Sequence, residues 1–159
     1  FHMNSRYLNI YNNLIKLTRN KSLYKISNNI ETFSDRLTIF LLHFAFFLKI
    51  YKKKILKKEL QRLYDFVFRQ IETTAREIGY GDSSINKRMK EYVNLTHAIL
   101  ENIDTWEKLS LNKKLDFFSN YVYAGKESSF YVDYFDKYAF YLSKNSFNYF
   151  TKDVISHKF

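Results

Sequence analysis

Cysteine and proline are both absent from this chain, and glycine occurs only three times in 159 residues. Without cysteine there are no disulfides, thiol nucleophiles or thiolate metal sites, which fits a reducing compartment. Without proline, and with so little glycine, nothing divides the chain into many short strands. The four histidines are His2, His43, His97 and His157, and none has another at metal-ligand spacing, so no metal and no cofactor is expected. Phe1-His2-Met3 reads as an expression remnant ahead of a natural start at Met3, and no signal peptide follows. Residues 4–145 are expected to form one helical domain and 146–159 a tail.

What is present is apolar and basic. Hydrophobic residues make up 46% and aromatics 19%, enough to offset ordering entropy in a single core. The formal net charge of +10 points ordinarily to nucleic acid, an anionic membrane surface or an acidic partner. Lys, Asn, Ile, Tyr and Phe are abundant together, however, so part of this basicity is compositional background.

Apolar residues recur at helical spacing, which predicts an all-α bundle of about six helices. The first covers 6–20, with Leu8, Tyr11, Leu14, Ile15 and Thr18 on one side. A polar link from Asn20 to Asn29 follows, with a short turn around Leu23 to Ile26. The second starts at Thr32 or Ser34 as N-cap and runs to Tyr51. Its centre, LTIFLLHFAFFL, is apolar all round yet well short of the roughly 20 residues that span a bilayer, so it belongs at the middle of a bundle. The third, 55–78, has the stripe Leu56, Leu60, Leu63, Val67, Ile71 and Ile78. The fourth, 83–101, has Ile85, Met89, Val93, Thr96, Ile99 and Leu100. The fifth, 110–124, is closed by Gly125, and the sixth, 129–143, is aromatic.

Two of the three glycines fall in AREIGYGDSSINKRM, Ala75 to Met89. A phosphate loop needs G-x-x-x-x-G-K-[ST] after a strand, and a dinucleotide fingerprint needs a preceding strand too. Here Gly79 and Gly81 follow a helix and lack the lysine. A helix-turn-helix would place Asn86, Lys87, Arg88 and Lys90 on DNA, but these occupy two faces of the fourth helix around Met89. DNA binding is therefore not expected, and a corner between helices accounts for each residue. Gly79 closes the third helix in the left-handed region and Asp82 or Ser83 caps the fourth. Glu77 near a C-terminus, and Lys87 and Arg88 near an N-terminus, oppose the helix dipoles. Glu77 is thus expected to pair with Lys87, Arg88 or Arg76, and Asp82 to face Arg76 as well as cap.

From Tyr64 to Lys90, YDFVFRQIETTAREIGYGDSSINKRMK resembles the signature of the ubiquinol-cytochrome c chaperone family. That signature joins a short FD segment, an acidic helix turn, REMGVGD and a basic run ending in Met-Lys. The matching positions are Asp65, Phe66, Glu72, Arg76, Glu77, Gly79, Gly81, Asp82, Lys87, Arg88, Met89 and Lys90. Tyr11, Arg19 and Tyr24, then Arg36, His43 and Leu48, and finally Asn120, Tyr121 and Tyr123 are similar to flanking family segments in the same order. Where the family reads FYGR, this chain has Thr96, His97, Ala98 and Ile99, so the tyrosine, glycine and arginine are lost and no role of theirs carries over from the resemblance.

The resemblance implies a non-enzymatic assembly factor for the cytochrome bc1 complex (respiratory complex III). Such a protein binds newly made cytochrome b as it leaves the ribosome, together with a small helical co-chaperone. With no long N-terminal extension, the expected location is the bacterial cytoplasm at the inner face of the membrane, or the matrix side of the mitochondrial inner membrane.

Four further groups carry chemistry of their own. His43, alone in an apolar helix, reads as a hydrogen-bonded core residue rather than a haem ligand. Asp65 and Glu72 share a helix face with Arg76 nearby, an arrangement an enzyme could use, but no nucleophile accompanies them. The run Lys49, Lys52, Lys53, Lys54, Lys57, Lys58 and Arg62 is either a solvated turn or a contact for anionic lipid or ribosomal RNA, the basis of an alternative reading as a ribosome-associated module. Tyr131, Tyr134, Tyr138 and Tyr141 are either core or a docking face for a hydrophobic client helix.

Overall fold

The computed structural model describes residues 2–24, 32–122, 126–157 and 159, with the side chains of 2–4 left aside. The expected all-α bundle is present, with seven helices among the described residues. They are α1 (His2–Thr18), α2 (Phe33–Tyr51), α3 (Lys57–Ile78), α4 (Asp82–Ile103), α5 (Leu111–Tyr121), α6 (Ser128–Ser143) and α7 (Phe147–Lys152). Single 3-10 turns, Lys21–Leu23 and Trp106–Lys108, lie in two of the connections. The expected closure by Gly125, and the part of the Leu23–Ile26 turn beyond Tyr24, lie outside the described residues.

The bundle is organised around α2. Every residue from Ile39 to Leu48 is buried, and α1, α4 and α6 pack around it. This is what an apolar circumference dictates, since no single face is available to meet water. Its start is fixed by a reciprocal pair of bonds: Thr32 Oγ1 accepts from the Asp35 amide at 3.1 Å, and Asp35 Oδ2 accepts from the Thr32 amide at 3.1 Å. No helix among the described residues is long and apolar enough to cross a membrane.

Aromatic rings fill the centre. Phe46 meets the edge of Trp106 at 5.2 Å on one side and stacks on Phe135 at 5.1 Å on the other. The Trp106 indole N–H donates to Asp136 at 2.8 Å, and Lys114 reaches the same carboxylate at 3.1 Å, which ties the α4–α5 connection to α5 and α6.

The sequence reading differs from the structure at both ends of the chain. The tail holds a seventh helix, α7, which packs on α1. Consequently the buried face of α1 is Tyr7, Ile10, Asn13 and Leu14, while Leu8, expected inside, is exposed. Asn13 Nδ2 donates to the carbonyls of Phe150 (3.1 Å) and Asp153 (2.9 Å), and its Oδ1 accepts from the Ile155 amide at 2.6 Å. Asn9 donates to the Thr151 carbonyl at 2.8 Å, and Arg6 to Asn148 at 3.1 Å. A polar rail of Arg6, Asn9 and Asn13 along α1 therefore holds the tail, a job hydrophobic spacing does not announce. Leu56 and Ile78, the ends of the α3 stripe, are 77% and 49% exposed, because α3 begins at Lys57 and its outer turns lie beyond the core.

Candidate functional site

The corner between α3 and α4 is built by backbone chemistry first. Gly79 sits at φ 108°, the left-handed region expected of it. Its amide donates to the Arg76 carbonyl at 3.0 Å and the Tyr80 amide to the Ala75 carbonyl at 3.3 Å, satisfying the last carbonyls of α3. A Cβ at Gly79 would meet nothing within 4 Å, so replacing it strains only the backbone. Gly79→Ala is expected to cost about 1–2 kcal/mol in chemical denaturation; an unchanged midpoint would contradict the closure described here.

Gly81 is different. Its φ of −75° and ψ of 162° are open to any residue, and a Cβ there also meets nothing. It is the N-cap of α4 and supplies no side-chain oxygen. Asp82, expected to cap, is instead the first residue of the helix, because its carboxylate is drawn to Arg76 at 2.5 Å. The expected Arg76–Asp82 pair is therefore present, and it suits both dipoles: a cation at the end of α3 faces an anion at the start of α4. Glu72 lies 4.0 Å from the same guanidinium. Both partners of each pair are well exposed, so each contributes little on its own.

The expected pairing of Glu77 does not occur: Glu77 is exposed and forms no ion pair among the described residues. Two of the three candidate cations are committed elsewhere. Arg76 turns to Asp82 and Glu72. Arg88 lays its guanidinium 4.0 Å from the centre of the Tyr80 ring, with its Nε donating to Ser84 Oγ at 3.4 Å. Lys87 is exposed on the outer side, and Met89 is half-buried against the core. Tyr80, passed over in the sequence, is the hub of the corner, touching Arg88 on α4 and Phe33 on α2 at 6.4 Å. An aromatic residue held between two glycines was the available signal.

Asp65 accepts from Gln61 one turn earlier at 2.9 Å, so each carboxylate of the α3 face is occupied by its own helix. The groove between α1, α2 and α3, of about 460 Å³, takes Ile71, Thr74 and Ile78 from α3 but none of Asp65, Glu72 or Arg76. Nothing here resembles a closed polar pocket around that face.

His43 is fully buried. Its Nδ1 lies 2.8 Å from the Ile39 carbonyl, which can only accept, so Nδ1 carries the proton and Nε2 accepts from the Tyr134 hydroxyl at 2.7 Å. Burial pulls its pKa down to about 4. Both ring nitrogens are engaged, as a core histidine requires.

The tyrosines of α6 form core rather than an open client face. Tyr131, Tyr134 and Tyr138 are 0%, 4% and 1% exposed, and Tyr141 is half-buried. Their hydroxyls serve neighbouring elements: Tyr131 donates to the Leu23 carbonyl, Tyr134 bonds His43, and Tyr138 donates to the His43 carbonyl at 3.1 Å. The remaining surface of this face is covered by the tail, where Phe159 packs on Tyr134, Tyr138 and Tyr141 and His157 stacks on Tyr141 at 4.1 Å.

The basic run divides in two. Lys49 pairs with Glu107 at 2.8 Å and Lys52 with Asp104 at 2.5 Å, tying the end of α2 to the connection after α4. Lys53, Lys54, Lys57, Lys58 and Arg62 are exposed at the α2–α3 connection and along early α3.

The described residues thus form a seven-helix bundle whose α3–α4 corner is closed by Gly79 and bridged by Arg76 and Asp82. The sequence profile of the family described as ubiquinol-cytochrome C chaperone matches residues 26–112, more than half of the chain, and the protein belongs to that family. The match spans α2, α3 and α4 and enters α5. The flanking likenesses at Tyr11, Arg19, Tyr24, Asn120, Tyr121 and Tyr123 lie outside it. No curated protein matches the chain, and no solved structure does.

Proposed function

We propose that this protein is a non-enzymatic assembly factor of the ubiquinol-cytochrome c reductase (bc1) complex that binds newly made cytochrome b. The observation that carries the proposal is the family match across α2, α3 and α4, which brackets the α3–α4 corner. The work assigned to the chain is holding a client at the inner face of a bacterial membrane, or the matrix face of a mitochondrial one.

Within the corner, the residues divide into frame and face. Gly79, Tyr80, Arg76, Asp82 and Arg88 spend their groups on holding the angle between the helices. Glu77 and Lys87 are exposed and unpaired among the described residues, which leaves them for a partner. The buried tyrosines of α6 are withdrawn from this role. Affinity capture of the tagged protein from detergent-solubilised cells is expected to recover cytochrome b. Reversing both charges, with Glu77→Lys and Lys87→Glu, is expected to reduce recovery several-fold while leaving the fold intact. Undiminished recovery by the double variant would move the client face off the corner, and recovery of none by the parent protein would contradict the proposal itself.

A further inference from the structure

Leu56 is the most exposed large apolar side chain among the described residues, at 77%. It sits at the tip between α2 and α3, in the run Lys52-Lys53-Lys54-Ile55-Leu56-Lys57-Lys58. Two local rules are broken at this point. Leucine occupies the N-cap of α3 and makes no side-chain cap bond, where serine, threonine or aspartate would. Lysines fill the first turn, where the helix dipole disfavours cations. The one acidic residue of that turn, Glu59, is drawn aside to Arg6 at 3.2 Å. Lys49 and Lys52 are balanced by Glu107 and Asp104, but Lys53, Lys57 and Lys58 make no ion pair among the described residues, and Lys54 only approaches the Tyr51 ring at 5.9 Å. A sequence that sacrifices capping and dipole to keep an aliphatic residue in water amid four lysines is serving something outside its own fold.

We propose that this tip is a membrane-surface contact: Leu56 enters the headgroup region of an anionic bilayer while Lys53, Lys54, Lys57 and Lys58 engage lipid phosphates and carboxylates. The charge complementarity fits any polyanion, but the exposed leucine selects lipid. An aliphatic side chain gains by leaving water for the acyl boundary, whereas single-stranded RNA is gripped by aromatic stacking, and the exposed apolar residue at this tip is aliphatic. The inference stands apart from the client reading, because lipid vesicles contain no cytochrome b.

The test is co-sedimentation of the full chain with vesicles of phosphatidylcholine alone or with about a third phosphatidylglycerol. Binding is expected only to the anionic vesicles and should weaken with salt. Changing Lys53, Lys54, Lys57 and Lys58 together to Gln should lower affinity by about fivefold per lysine, several hundredfold in all. Leu56→Ser should lower it roughly tenfold. The same substitution should raise Tm, since serine caps α3, so lost binding cannot be ascribed to unfolding. Leu56→Trp should bind more tightly and show quenching by brominated lipid above the constant background of buried Trp106. Equal binding to neutral vesicles, or binding indifferent to the lysines, would overturn the proposal. So would displacement by single-stranded RNA that binds Leu56→Ser as well as the parent.

Discussion

Lowering the pH from 7.5 to 4 is expected to remove about 3 kcal/mol of folding stability through His43 alone. In the unfolded chain the imidazole has its ordinary pKa of 6.5, whereas in the folded protein burial depresses it to about 4. The unfolded state therefore takes up a proton first. Stability from this group is complete above about pH 6.5, falls as the pH drops from 6.5 to 4, and changes no further below that, where both states are protonated. Where the ring sits, a cation is strongly disfavoured. Its neighbours are the rings of Tyr134, Phe135 and Tyr138, and its two nitrogens are already satisfied in the neutral form. Carboxylates titrate in the same range, so the informative quantity is the difference between the protein and His43→Gln, measured by denaturant unfolding at several pH values. The variant should start less stable, having lost part of the paired bonds, and should show a shallower loss between pH 6.5 and 4. Parallel pH profiles would contradict the buried neutral imidazole.

Removing the Asn13 amide should be the most damaging single change outside the aromatic core. Asn13→Leu strips partners from the carbonyls of Phe150 and Asp153 and from the amide of Ile155. Each backbone group left unpaired costs on the order of 1–3 kcal/mol if it stays buried. The segment after α6 can instead lift from α1 and recover water, which caps the loss at the free energy of docking that segment. A net loss of about 2–4 kcal/mol is expected, with hydrogen-exchange protection at Phe150 to Ile155 falling before protection in α2 does. Asn9→Ala, which removes one bond to Thr151, should show the same pattern at smaller size. A variant whose segment keeps its protection would show that the apolar contacts of Phe147 and Phe150 with Phe47 and Tyr51 suffice.

These two sites also show where sequence reading succeeds. His43 was legible as a core residue, because a lone histidine inside a run apolar on every side has no route to solvent. The helices of α2, α3 and α4 were legible for a related reason: their caps and stops, Thr32 with Asp35 and Gly79, are local chemistry written within a few residues. Asn13 was not legible. Its role depends on backbone groups about 140 residues away, and polar residues on a helix face are ordinarily solvent-facing. The α6 tyrosines were ambiguous, because an aromatic stripe at helical spacing looks alike whether it faces a client or the chain's own α2.

At the corner, the identity of the residues was legible and their pairing was not. The Arg76–Asp82 bridge follows from two charges on either side of a short turn. Which cation Glu77 would meet depended on side-chain direction, and Arg88 found the face of Tyr80 instead. That choice leaves Glu77 and Lys87 exposed, with no ion pair among the described residues. The start of α3 was misplaced because no capping residue marks it, and the same missing cap singles out Leu56 as a surface residue.

The most direct measurement of the central claim is the amount of assembled bc1 complex, and of spectrally detectable b-type haem bound to cytochrome b, in cells from which this gene has been deleted. A strong reduction in both is expected, with newly made cytochrome b degraded, and restoration by the intact gene but only weakly by one carrying Glu77→Lys and Lys87→Glu. Unchanged bc1 complex and cytochrome b in the deleted cells would contradict it.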